Sequence, residues 1–84
     1  VSYTIEILRS AQKQLARIDR QYQSRIIDAI RALADDPRHP GCKKLSVRPA
    51  WRIRIGSFRV IYEIDDDKLV VVVVVIGDRK NVYR

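Results

Sequence analysis

Cysteine and histidine each occur once in 84 residues. Cys42 alone cannot close an internal disulfide, and one cysteine with one histidine cannot assemble the ligand set of a structural zinc site. A protein of a reducing, cytoplasmic compartment with no metal or other cofactor is therefore expected. Glycine and proline are scarce, three of each, and no stretch is rich enough in them or in serine to act as a linker. No internal repeat is visible. The longest apolar run, Leu69 to Ile76, falls far short of the roughly 20 residues that span a bilayer, and Val1-Ser2-Tyr3 lacks the charged-then-apolar pattern of a targeting signal. The expectation is a soluble, unexported chain folded as a single domain over residues 1–84.

What the sequence does have is apolar material and positive charge. Hydrophobic residues make up 46% of the chain, enough for one core and too little to divide between two. A fold of this size buries only about 60% of the surface its unfolded chain exposes, so its stability is marginal and a protecting partner fits it. Lysine and arginine outnumber aspartate and glutamate by 17 to 10, a net charge of +7. A field of that size on so small a body attracts polyanions and speeds their encounter. Nucleic acid is the leading partner on this criterion. Membrane surfaces and acidic proteins answer to the same field, so the placement of the cations has to decide.

Along the chain, Tyr3, Ile5 and Ile7 alternate with Thr4, Glu6 and Leu8 and predict a first strand with one buried face. Ser10 is the expected cap of a helix in which Ala11, Leu15, Ile18 and Tyr22 recur at helical spacing. After a break near Asp19 to Gln21, a second helix follows on Ile26, Ile27, Ile30, Leu33 and Ala34, the two forming a hairpin. Asp35-Asp36-Pro37 ends it, because proline disfavours helical geometry in the residue before it. Trp51, Ile53 and Ile55 then alternate with Arg52 and Arg54, so one strand face packs inward. The other presents two guanidinium groups about 7 Å apart, twice the rise per residue. Gly56-Ser57 turns the chain into a strand from Phe58 to Ile64. Asp65-Asp66-Asp67 turns it again into Leu69 to Ile76, where six successive valines predict a central strand covered on both faces. Gly77 is expected to end that strand. The fold class is α+β: an N-terminal strand, a helical hairpin and a three-strand antiparallel meander, with the helices on one face of the sheet. The arginine-bearing face is left open.

Three motifs occur in order: Trp51-Arg52-Ile53-Arg54-Ile55, Phe58-Arg59-Val60-Ile61-Tyr62-Glu63-Ile64, and a valine-rich strand closing on Gly77-Asp78-Arg79 and Val82-Tyr83-Arg84. With the element order, they resemble the RelE branch of the RelE/ParE toxin superfamily. The resemblance covers essentially the whole chain and is most specific from Trp51 to Arg84. It implies the toxin of a type II toxin–antitoxin pair, a metal-independent endoribonuclease that cuts messenger RNA in the ribosomal A site and so inhibits translation. It implies a catalytic surface of Arg52, Arg54, Arg59, Arg79 and Tyr83. Beside that set, Lys43 and Lys44 before the basic strand and Lys80 and Arg84 in the tail are the expected RNA-binding cations, a solubilising role being the alternative for the two lysines at 43 and 44. It also implies a RelB-like antitoxin, a separate acidic chain that wraps the toxin. On this reading the toxin alone is a monomer and forms a hetero-oligomer with its antitoxin. The sequence departs from the family pattern in two places. Arginines stand at 52 and 54 where some relatives have lysines, and no terminal helix is expected before Arg84.

Metal-free RNA cleavage uses the adjacent 2′-hydroxyl as nucleophile. It needs a base for that hydroxyl, stabilisation of charge on phosphorus and an acid for the departing 5′-oxygen. Guanidinium groups fork onto phosphate oxygens, and several on one phosphate favour the transition state over the ground state. Arg59 and Arg79 are assigned that task, with Arg52 and Arg54 aligning neighbouring phosphates. A histidine acid–base pair cannot form around His39 alone, which leaves Tyr83 as base. Its ordinary value is about 10, and adjacent cations lower the cost of the phenolate. Arginine keeps its proton above pH about 12, so the general acid stays unassigned.

Each residue also has a plainer reading. Arginines on an exposed strand are commonly solvated charges, and terminal tyrosines are commonly idle. Trp51 shares a face with Ile53 and Ile55 and is expected in the core, His39 and Cys42 in a loop without chemistry, and the three aspartates in a turn that keeps nucleic acid to the basic side. Two other functions suit the same chain. A ParE-like toxin would block DNA gyrase by binding, and a non-catalytic RNA- or ribosome-binding module would need only the basic face.

Overall fold

The computed structural model describes residues 2–46 and 48–78. Its strands are β1 (Thr4–Ile7), β2 (Lys43–Lys44), β3 (Trp51–Ile55), β4 (Phe58–Asp65) and β5 (Val70–Asp78), and its helices are α1 (Arg9–Ala16) and α2 (Arg20–Ala32). The strands form one sheet in the order β1-β5-β4-β3-β2. β2, β3, β4 and β5 pair antiparallel in succession, while β1 lies parallel to β5, with Ile7 across from Val73. The α+β class and the meander of β3, β4 and β5 agree with the sequence pattern. Lys43 and Lys44, which the sequence pattern assigns to no element, form the edge strand beside β3.

Helices cover one sheet face, α1 lying along β5 and α2 resting on β3. Ala11, Ile26, Ile30 and Leu33 meet Ile53, Ile55, Val60, Tyr62, Val71, Val73 and Ile76 in the main core. Their spacing on the helices is three, four and seven residues, the apolar stripe of an amphipathic helix. Tyr22 adds a tilted ring contact to Phe58, with centroids 5.4 Å apart. Between the helices, the Gln23 side chain donates to the carbonyls of Leu15 and Ile18 at 3.1 and 2.7 Å, tying the start of α2 to the chain end of α1.

Several local expectations are corrected. Ser10 lies inside α1 rather than capping it; Leu8 is the N-cap and supplies no side-chain hydrogen bond. Helix α2 ends at Ala32, short of Asp35-Asp36-Pro37, because tight turns from Leu33, Ala34 and Asp35 back to Ile30, Arg31 and Ala32 use up its last carbonyls. The final strand begins at Val70, not Leu69, since Leu69 has φ 55° and closes the turn from β4. Gly77 does not end that strand, which continues through Asp78.

The valine run is not buried on both faces. Ile61 pairs with Val75 and Tyr62 with Val73, so Val74 is an extra residue, a β-bulge. Val71 and Val73 enter the main core, Val74 and Val75 turn to the opposite face, and Ile76 returns to the core. A run of identical β-branched residues tolerates this change of phase because valine suits either face. On the opposite face, Val74 and Val75 pack with Leu45, Ala50 and Ile61 into a second small cluster. That face is therefore partly covered, by the loop between β2 and β3.

Candidate functional site

The basic residues of β3 and β4 are positioned by strand alternation. Ile53, Ile55, Phe58 and Val60 pack against the helices, so Arg52, Arg54, Arg59 and Ile61 project from the other face. Arg54 stands directly across from Arg59, and Arg59 from Gly77, forming one row over three strands. In the neighbouring row Lys43 stands across from Arg52, followed by Ile61 and Val75. The two rows bring Lys43, Arg52, Arg54 and Arg59 onto one face with no carboxylate among them. Lys44 is in register with Trp51 and falls outside this arrangement. Arg79, Lys80, Tyr83 and Arg84 lie outside the described residues.

Exposure differs along the rows. Lys43 and Arg54 are exposed and Arg52 is half-buried, whereas Arg59 retains only 6% of its surface. Arg59 is thus not a protruding solvated charge. A guanidinium in so sheltered a place interacts with an approaching anion more strongly than one in open water, because less solvent screens it.

The same face changes sign along β4. After Arg59 and the apolar Ile61, the next side chains to project from it are Glu63 and Asp65. Glu63, Asp65, Asp66 and Asp67 line a surface recess with Pro49 and Val72. Among the described residues no cluster of histidine, cysteine and carboxylate side chains is arranged to hold a metal ion. The acidic end is anchored by Asp66, which accepts from the Tyr3 hydroxyl at 2.6 Å and from both terminal nitrogens of Arg38 at 3.0 and 2.8 Å. Those donors hold its carboxyl down at about 2. Arg38 also lies 5.5 Å above the Trp51 ring, which packs against the core as its alternation predicts.

His39 and Cys42 are built into the loop structure. The His39 ring nitrogen accepts from the Gly41 amide, and a Cβ at Gly41 would lie 2.9 Å from that ring. The Tyr62 hydroxyl faces the Pro37 carbonyl and Cys42 Sγ as donor, each at 2.7 Å, and the Cys42 thiol donates to the Pro37 carbonyl at 3.5 Å. Burial pushes the Cys42 thiol above its ordinary range, away from the reactive thiolate.

The family model described as the ParE toxin of the type II toxin–antitoxin system parDE matches residues 5–83. The chain is a toxin of the RelE/ParE superfamily. A curated Escherichia coli protein named as a RelE-like toxin is 25% identical to the toxin over 86 aligned positions, covering 98% of this chain and 90% of the relative. The fold is shared with the RelBE2 toxin–antitoxin complex of Mycobacterium tuberculosis, at a TM-score of 0.82 and 24% identity over 94% of this chain and all of that one. It is shared equally with an E. coli RelE variant in the free state, at 0.83 and 21% over 98% and 88%. The archaeal RelE–RelB complex of Pyrococcus horikoshii gives 0.82 and 22% over 96% and 99%. Among the described residues of the toxin, no helix is long and apolar enough to cross a membrane.

Sequence reading found the cations but not their rows. That Lys43 belongs with Arg52, and Lys44 does not, depends on where β2 enters the sheet. A two-residue strand carries no periodic signal. Gly77, read as a strand terminator, instead occupies the Arg54–Arg59 row because of the bulge at Val74.

Proposed function

We propose that the toxin is a RelE-type endoribonuclease, acting as one domain in the cytoplasm, that cuts messenger RNA in the ribosomal A site without a metal. The observation that carries this reading is the row in which Arg54 and Arg59 face each other, beside the Lys43–Arg52 row on the same sheet face. Converging cations without carboxylates suit a phosphodiester backbone, which carries one charge per nucleotide. Arg59 stabilises charge on the scissile phosphate, and Lys43, Arg52 and Arg54 hold its neighbours. The acidic end of the face repels RNA and sets which way the strand lies. Arg79 as a second phosphate ligand and Tyr83 as base for the 2′-hydroxyl rest on the family resemblance, and the RNA contacts of Lys44, Lys80 and Arg84 on their charge and their places in the sequence. Ordinary tyrosine and arginine are weak acid–base groups at neutral pH, which suits a catalyst whose substrate is shaped by the ribosome.

The partner on this reading is a separate, acidic, RelB-like antitoxin that covers the basic face. Crystallised relatives from M. tuberculosis and P. horikoshii are complexes with their antitoxins. A second reading, gyrase inhibition, is favoured by the ParE description of the matching family model. Gyrase binding gives no reason for facing arginines on a sheet.

The deciding experiment adds purified toxin to a reconstituted translation reaction and maps message 5′ ends by primer extension. A ribosome-free control and an Arg59→Ala, Arg79→Ala double variant run beside it. Cuts in register with the decoding site, lost without ribosomes and in the double variant, are expected. Intact message with normal translation would sink the ribonuclease reading and direct attention to gyrase supercoiling assays.

A further inference from the structure

Glycine occupies the position of β5 directly across from Arg59. The backbone does not require it there. Gly77 lies within the extended run of β5, and among the described residues the glycine in the left-handed region is Gly56, at φ 61°. Glycine inside a strand weakens it, and often marks a place where a ligand or another backbone comes close.

The register accounts for how this glycine arrives. Continued without interruption from the Tyr62–Val73 pair, the ladder would set Ile76 against Arg59. The extra residue Val74 shifts the pairing by one, so Gly77 comes opposite Arg59 and Ile76, opposite Val60, stays in the core. Re-aiming side chains beside a functional site is a recurrent use of bulges. Directly opposed residues hold their Cβ atoms about 4.5–5.5 Å apart, so any side chain at 77 would flank Arg59 on one side as Arg54 does on the other. Gly77 is half-buried and lies on the part of β5 beyond the last β1 pair at Val73.

We infer that Gly77 is a positioning residue: the Val74 bulge and the missing side chain together keep a notch beside Arg59 through which an RNA phosphodiester group reaches the guanidinium. The inference rests on the ribonuclease reading above. Approach from the flank matters because Arg59 exposes so little of its own surface. A guanidinium forks onto two phosphate oxygens only when they lie in its plane. A methyl or isopropyl group at 77 would occupy that side.

The test measures single-turnover message cleavage against ribosome concentration for wild type, Gly77→Ala and Gly77→Val, each also in an Arg59→Ala background, with thermal melting of every variant. Gly77→Val should slow cleavage about 10–100-fold, somewhat less than the loss of a whole transition-state donor, at an unchanged half-saturating ribosome concentration. Gly77→Ala should fall between it and wild type. Melting temperatures should stay level or rise, since both side chains suit a strand better than glycine. The two changes should not add: Gly77→Val in the Arg59→Ala background should cost nothing further. Gly77→Val cleaving like wild type overturns the notch alone, as does a loss that adds in full to that of Arg59→Ala. A lowered melting temperature in both glycine variants also overturns it, by making the glycine a requirement of the fold. Wild-type toxin that leaves message intact overturns the ribonuclease reading and the notch together.

Discussion

Arg54 and Arg59 face each other across β3 and β4 on the sheet face away from the helices. Like charges at directly opposed strand positions repel, at a cost of about 0.2–1 kcal/mol. A fold of 84 residues has little stability to spare, so a pairing of this kind is a feature retained for what the face binds. The same repulsion makes the face a sink for anions, and a covering antitoxin would relieve it.

Replacing one member of the pair should therefore stabilise the free toxin. Arg54→Gln keeps most of the side-chain stem and removes the charge. It should raise the melting temperature by a few degrees at low ionic strength, taking about 4–8 °C per kcal/mol for a domain of this size. The gain should shrink in 0.5 M salt, where screening already weakens the repulsion. Cleavage should fall in the same variant. A melting temperature that is unchanged or lower at low salt would show that the two guanidinium groups are held apart or compensated.

The two rows also predict how RNA affinity depends on salt. Each cation that neutralises a phosphate releases a counterion, which contributes about 0.7 to the slope of log affinity against log salt for a single strand. Lys43→Ala and Arg52→Ala should each reduce the slope for a short single-stranded RNA by roughly that amount. Lys44→Ala, which alters the residue registered with Trp51 rather than with the basic rows, should change it much less. Fluorescence anisotropy titrations at several salt concentrations make the comparison. Equal effects from Lys43 and Lys44 would mean that net charge, not the sheet face, governs binding.

Much of this arrangement was legible in the sequence. Alternation in Trp51 to Ile55 put the arginines on one face and Trp51 against the core, and turn residues at Gly56-Ser57 and Asp66-Asp67 set the meander, though Asp65, expected in the second turn, is the last residue of β4. What was not legible depended on pairing. The register of β4 against β5 turns on the bulge at Val74, and six valines in succession give no sign of which residue is extra. The two residues of β2 are too few for any period, and the parallel placement of β1 beside β5 joins segments more than sixty positions apart. Gln23, which ties the start of α2 to the chain end of α1, reads from sequence as an ordinary surface glutamine.

Acid stability should depend on the other end of the face. Asp66 has its carboxyl held at about 2, below its ordinary value of 3.8, by Arg38 first and then by Tyr3. A depressed carboxyl stabilises the fold fully above its unfolded value, and that contribution is lost as pH falls from about 4 through about 2. Asp66→Asn should therefore melt lower than wild type at pH 5, with the gap closing as pH is lowered through that window. Melting curves at half-unit intervals from pH 5 to 2 would show it. A gap that stays constant across the window would mean that it does not come from the charge of the carboxylate.

Tyr62 offers a test of the core without touching the basic face. Its side chain is fully buried in the main core, and its hydroxyl is the donor facing both the Pro37 carbonyl and Cys42 Sγ, each at 2.7 Å. Tyr62→Phe leaves both Pro37 and Cys42 without that partner, at a cost of about 1–3 kcal/mol for an unsatisfied buried group. The melting temperature should drop accordingly, while cleavage measured well below it stays near wild type, because the ring points to the helices and not to the rows. The Tyr62 phenol is also pushed well above its ordinary value, mainly by burial. Its stabilising contribution is therefore present below pH about 10 and lost as pH rises beyond it. Tyr62→Phe should lose less stability than wild type between pH 10 and 12. Equal alkaline losses in the two proteins would mean that water reaches the hydroxyl, and that the loop from Pro37 to Cys42 is held to the core by something other than this hydrogen bond.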